Sequence, residues 1–198
     1  TRLRNIASKL DKHNDKNKLS PDELEQYKNY VEEIANDYDN EEDETKNLLV
    51  LQPQHFQEYI DKYERFDVEL DKELFYHEQG GGKKTGPKKK KFWKLIVDAM
   101  HYESKVRPIM VPIIEEMGIR TCVYCNMQYA LTIDHSKGLY ELDHRFPKSK
   151  YPYLCTTFYN LQPSCPICNH GKNTATAGFG LYTTDSNELH PFHLLSKP

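Results

Sequence analysis

Nowhere in the 198 residues does a run of apolar side chains approach the ~18–20 that a bilayer-crossing helix needs, which excludes a transmembrane helix. No leader of the secretory kind is visible either, so the expected setting is soluble and cytoplasmic, with no membrane partner. The chain opens on Thr1, as a processed product or part of something longer would. Cysteine is scarce: five in all, none before position 122. What remains, 37% hydrophobic and 29% charged residues, suffices to bury the core of one ordinary domain or two small ones.

Basic charge is in deficit in the first part. Residues 1–79 hold 11 Lys+Arg against 21 Asp+Glu, whereas residues 80–198 hold 16 against 9. The net charge of −3 is therefore the sum of an acidic region and a basic one. A polyanion would be repelled by the former and attracted by the latter, which restricts any nucleic-acid contact to the second part.

The acidic region reads as helical. Ser20-Pro21-Asp22-Glu23 combines an N-cap, a proline at the first helical position and an acidic residue three after the cap, and Leu24, Tyr27, Val31, Ile34 and Tyr38 follow at helical spacing. The spacing predicts a helix over 21–38. Residues 39–44 read as a solvated acidic connection, and Pro53 opens a second helical pattern through Phe56, Tyr59, Ile60, Tyr63, Phe66 and Leu70. Three successive glycines, a proline and six lysines over 80–91 build no packed element, so this stretch is expected as a linker, either a plain tether or a clamp on a nucleic-acid backbone. A further helix is expected from Phe92. Pro108 and Pro112 should then kink or restart it on the way to Gly118. The resulting division is 1–79 helical region, 80–91 linker, 92–121 connector and 122–198 site domain.

Four of the five cysteines form two identical pairs, Cys122-x-x-Cys125 and Cys165-x-x-Cys168. In a chain with no secretory signal, two such pairs point to a four-thiolate zinc site rather than to disulfides. The spacer is longer than the ~15–20 residues of an ordinary zinc ribbon, so something is inserted between the knuckles. Tyr129 to Ile133 and Leu139 to Leu142 read as two strands around the turn residues Asp134 to Gly138, a hairpin ending at Asp143-His144. Prolines 147, 152 and 163 argue against further regular structure until Pro166, where a short helix is expected to carry Cys168, Asn169 and Lys172. Cys155 reads as a small buried hydrophobe, and the histidines other than His144 and His170 show no ligand spacing. His190-Pro191-Phe192-His193 suggests a chain that packs back on the core.

The series Cys122-x-x-Cys125, Glu141-Leu142-Asp143-His144-Arg145-Phe146-Pro147-Lys148, Tyr159-Asn160-Leu161-Gln162-Pro163 and Cys165-x-x-Cys168-Asn169-x-x-Lys172 resembles the HNH nuclease motif in its zinc-knuckle form, over about residues 122–173. The resemblance implies an α+β protein: a mainly α-helical N-terminal region plus a small zinc-stabilised ββα-metal domain that hydrolyses DNA to 5′-phosphate and 3′-hydroxyl ends. Zinc is structural here, because four thiolates leave no open coordination position. His144 is the natural general base. Asp143 matches the family's metal ligand and Asn169 its third letter, completing a site whose oxygen donors favour magnesium or manganese. Asn160 matches the central asparagine, expected to orient the His144 ring. Lys172 matches a family position suited to a phosphate, and Lys148 and Arg145 are candidates for the same task. His170 is one residue off register.

Phe146-Pro147-Lys148-Ser149-Lys150-Tyr151-Pro152, together with the first knuckle, is also similar to small HNH proteins encoded beside ATPases in bacterial anti-phage systems, such as the Septu and retron-associated nucleases. That similarity implies an ATPase subunit as partner, with the acidic helices docking on it. Two rivals stay open: an RNA-cleaving toxin, and a non-catalytic zinc module that binds DNA or protein.

Overall fold

Ser20 Oγ accepts the backbone N–H of Glu23 (3.2 Å) while the Glu23 carboxylate accepts that of Ser20 (2.8 Å). This reciprocal cap, with Pro21 behind it, starts helix α3 (Pro21–Tyr38) where the sequence places it. In the computed structural model, which describes residues 2–40, 46–76, 88–134, 137–178 and 180–182, α3 buries Tyr27, Tyr30, Val31 and Ile34. Before it come α1 (Arg4–Lys12), which inserts Ile6 and Leu10, and the single turn α2 (Asn14–Asn17). Neither is anticipated from sequence. A 3₁₀ turn at Pro53–His55 leads into α4 (Phe56–Glu64). The helix stops short of the expected pattern, and Phe66 and Leu70 pack against the core from the chain beyond it. Tyr63 of α4 meets Tyr30 edge to face at 5.4 Å, and its hydroxyl donates to the nearly buried Asp37 (2.8 Å), which also accepts from Lys62 (2.7 Å).

Strand β1 (Glu73–Tyr76) pairs antiparallel with β2 (Lys88–Lys91), so the last four lysines of the expected linker form a strand. The physical reason lies in the lysine stems. Lys89 and Lys90 lay theirs beside Phe75 and Tyr76, each ammonium 4.9 Å from the ring centre, and Lys90 and Lys91 pair with Asp98 and Asp71. Residues 80–87, the acidic stretch 41–44 and the segment His190 to His193 lie outside the described residues.

Helix α5 (Phe92–Ala99) begins directly after β2. A π turn at Tyr102–Val106 then leads into α6 (Arg107–Glu116), which holds Pro112 within it and ends at Gly118, at φ +69°. This is the restarted helix expected from the two prolines. Among the described residues no helix is long and apolar enough to cross a membrane.

The second half corrects the expected strand order. β3 (Thr132–Asp134) turns back on the two-residue β4 (Lys137–Gly138), and this short ladder is the hairpin. β5 (Glu141–His144) pairs instead with β6 (Leu161–Ser164), setting His144 opposite Leu161 and Asp143 opposite Gln162. Pro163 made β6 illegible from sequence, yet a strand with a single partner tolerates a residue that cannot donate. The Pro163 carbonyl accepts from Val123 (3.2 Å), tying β6 to the first cysteine pair. Helix α7 (Pro166–Lys172) follows, with Cys165 as its cap. Buried residues from Leu3 to Leu161 join in one hydrophobic cluster, to which Leu142, Leu154 and Leu161 belong together with Tyr30, Phe92 and Ile114 of the preceding helices. The chain is thus α+β: a helical region joined to a small β and four-cysteine region.

Candidate metal and active site

The two cysteine pairs converge. The sulfurs of Cys122, Cys125, Cys165 and Cys168 all lie within 4.8 Å of one another. A tetrahedral zinc with Zn–S near 2.3 Å needs sulfurs roughly 3.8 Å apart, so the cluster fits that ion with little adjustment. Local backbone prepares it: Asn126 takes φ +51° to close the first knuckle, and the N–H groups of Gln128 and Met127 pull the Cys125 thiol down to about 6. Cys168 is pushed the other way, first by burial and then by the other three sulfurs. A dication would relieve that conflict by holding all four as thiolates.

Beside the cysteine cluster, β5 and α7 form the sides of an open cleft of ≈ 250 Å³ lined by Asp143, His144, Lys148, Asn169 and Lys172, with Trp93 of α5 also on its wall. His144 is buried, packed 4.6 Å from the Tyr102 ring, and its Nε2 lies 3.0 Å from the carbonyl oxygen of Cys155. A carbonyl can only accept, so Nε2 carries the proton and Nδ1 is the basic nitrogen. Burial, reinforced by the charges of Lys148 and Lys172, lowers the His144 pKa to about 3. The ring is neutral throughout the physiological range.

Asp143, also buried, has both oxygens engaged. Oδ2 accepts the Tyr124 hydroxyl, which in turn accepts from Gln162 (2.6 Å), and Oδ1 pairs with Lys172 at 3.1 Å. Lys172, expected on a phosphate, thus sits on the carboxylate expected to hold a cation. Asn169 donates through Nδ2 to Glu141 at 2.6 Å, leaving its carbonyl uncommitted to that partner. His170 is exposed, 3.7 Å from Glu141, and is not among the residues lining the cleft.

Asn160, expected to orient the His144 ring, makes no hydrogen bond to it. Fully buried, it donates to the carbonyls of Phe146 (3.1 Å) and Leu154 (2.9 Å) and accepts from the N–H of Phe146 (2.8 Å). It braces the loop whose next residue, Cys155, supplies the carbonyl that orients His144, so its influence on the ring is indirect. Lys148 stands at the cleft with its ammonium 4.7 Å above Tyr102 and 3.4 Å from Glu103. Arg145 is not brought to the cleft. Its guanidinium lies over Phe146 and against Gly180, where a Cβ would come within 2.4 Å of Nη1. Sequence reasoning gave no role to Tyr102, Tyr124, Glu141 or the Cys155 carbonyl. Glu141 stood in the quoted motif and Tyr124 inside a knuckle, but a backbone carbonyl leaves no signal in side-chain identity.

Fold and site together define an α+β protein with a four-thiolate zinc site beside a cleft holding a buried Asp-His pair. The chain is similar to the Septu protein PtuB of Bacillus thuringiensis, 39% identical over 59 residues, which are 30% of this chain and 21% of that protein. The matched part thus spans about a fifth of the relative's length. No protein-family model matches the chain, and no solved structure matches it.

Proposed function

We propose that the protein is a metal-dependent endonuclease of the HNH type that hydrolyses DNA phosphodiesters, acting as the effector nuclease of a bacterial anti-phage complex with an ATPase. One observation carries the reading: His144 lines the same cleft as Asp143 and Asn169 with Nε2 committed to the Cys155 carbonyl, which leaves Nδ1 as the unprotonated nitrogen of a fixed ring. Hydrolysis needs an unprotonated nitrogen to take a proton from water, and the negative charge of a bound phosphate would raise the proton affinity that burial and the two lysines hold down. Asp143 and Asn169 offer hard oxygen donors that fit magnesium or manganese, and such an ion would supply charge neutralisation at the phosphoryl and leaving oxygens. Asn160 keeps the loop behind His144 in place. Lys148, on the cleft wall, and Lys172, once free of Asp143, would meet a substrate phosphate. Arg145 is left with a packing role.

The similarity to a Septu protein supports the defence assignment. We assign the reaction to residues 122–198, with 92–121 as its helical support and 80–91 as the connection to the helical region. The acidic composition of residues 1–79, with ten more carboxylates than cationic side chains, suits docking on a basic face of the ATPase. The test is cleavage of supercoiled plasmid against structured RNA, presented together, with magnesium, manganese or chelator. Metal-dependent conversion of the plasmid supports the reading. Preferential loss of the RNA would move the protein to the toxin class, and binding of either without cleavage in every metal would favour the non-catalytic module.

A further inference from the structure

Glu141 lies two residues before Asp143 on β5, so the two carboxylates leave the strand on the same face. Glu141 Oε2 is 2.6 Å from Asn169 Nδ2. An ionised carboxylate has no proton to give, so only the nitrogen end of the Asn169 amide can face it, and the carbonyl Oδ1 is turned away from Glu141. The backbone of Asn169 is already pinned, its N–H on the Cys165 carbonyl (3.0 Å) and its own carbonyl on the N–H of Asn173 (2.9 Å). Which end of the amide meets the cleft is the freedom left to it, and the two ends have nearly the same shape. With the amide reversed, the cleft would receive an N–H donor, which repels a cation, in place of an oxygen ligand.

We infer that Glu141 is a positioning residue: by accepting from Nδ2 it selects the orientation in which Asn169 offers its carbonyl oxygen to a divalent cation beside Asp143. The inference rests on the cation reading of the cleft given above. It separates Glu141 from the zinc site, because the cysteine sulfurs make no use of it, and from the reacting atoms, because Glu141 acts through Asn169. Partners that orient metal ligands in this way typically carry 10–100-fold in metal affinity.

The test is manganese binding to the full chain, read as free Mn²⁺ by electron paramagnetic resonance, with zinc content measured on the same samples. Glu141→Leu and Glu141→Ala should each weaken manganese about tenfold or more at unchanged zinc, and whichever retains its zinc decides. Glu141→Gln keeps an oxygen acceptor without the charge, and should retain affinity within about threefold of wild type if amide orientation is what matters. Apolar variants that bind manganese within about twofold of wild type would overturn the inference. So would a Gln variant as weak as the apolar ones, since the effect would then be charge and not orientation. If wild type shows no manganese site that Asp143→Ala abolishes, the cation reading fails and this inference with it.

Discussion

Replacing Asn160 with alanine should cost the fold more than its distance from the reacting atoms suggests. The side chain is fully buried and makes three hydrogen bonds, two of them to the main chain of Phe146. Its removal orphans the Phe146 N–H and carbonyl, whereas the Leu154 carbonyl keeps a bond from the Thr157 N–H (3.2 Å). Two part-buried orphans at about 1 kcal/mol each, plus a small cavity, put the loss at about 3 kcal/mol. Small domains have only ~5–15 kcal/mol in all, so the loss is a large fraction of the total. Asn169→Ala, which breaks one part-buried bond, should cost about 1 kcal/mol and serves as the comparison. Urea unfolding at saturating zinc, followed by the fluorescence of the single tryptophan, Trp93, measures both. A loss under about 1 kcal/mol for Asn160→Ala, with cleavage nonetheless abolished, would refute the brace and assign Asn160 a direct part in the chemistry.

Zinc analysis should return about one ion per chain for wild type and clearly less for Cys168→Ser; undiminished zinc in the serine variant would contradict the four-thiolate site. His144 is neutral when folded, with its pKa lowered to about 3 against an unfolded value near 6.5, so its contribution is complete above pH 6.5 and is lost as pH falls toward 3. Stability should therefore fall with acid more steeply in wild type than in His144→Asn, by a difference approaching ~1.4 kcal/mol per pH unit; parallel curves would remove the buried-neutral assignment. Lys172→Met strips the partner from a nearly buried carboxylate and should cost about 3 kcal/mol in chelator, measured by thermal melting. Added manganese should restore more stability to that variant than to wild type, and a variant indifferent to manganese would count against a cation at Asp143.

How much of this was legible depended on which atoms did the work. α3 was readable to the residue because its cap is made by side chains in a fixed order, Ser20, Pro21 and Glu23. α1 has no side-chain cap, and its Leu3, Ile6 and Leu10 stripe is short, so it passed unnoticed. β2 reads as a tether because lysine is a poor strand former, and its pairing comes from Phe75, Tyr76, Asp71 and Asp98, which lie elsewhere in the sequence. In the site, the cysteine pairs were identifiable from spacing alone, and Asp143, His144 and Asn169, singled out by their order in the sequence, line one cleft. Their partners were not. The atom that fixes His144 is a backbone oxygen, Asn160 works through the loop that carries it, and the Lys172 ammonium turns to Asp143 because a buried carboxylate needs a positive charge nearby.

The most direct test of the central claim compares wild type with His144→Ala on supercoiled plasmid in manganese, using preparations of equal zinc content. The geometry predicts cleavage by wild type that chelation stops and that falls by at least ~100-fold when the base is removed. Equal rates in the two proteins, or cleavage indifferent to chelation, would contradict it.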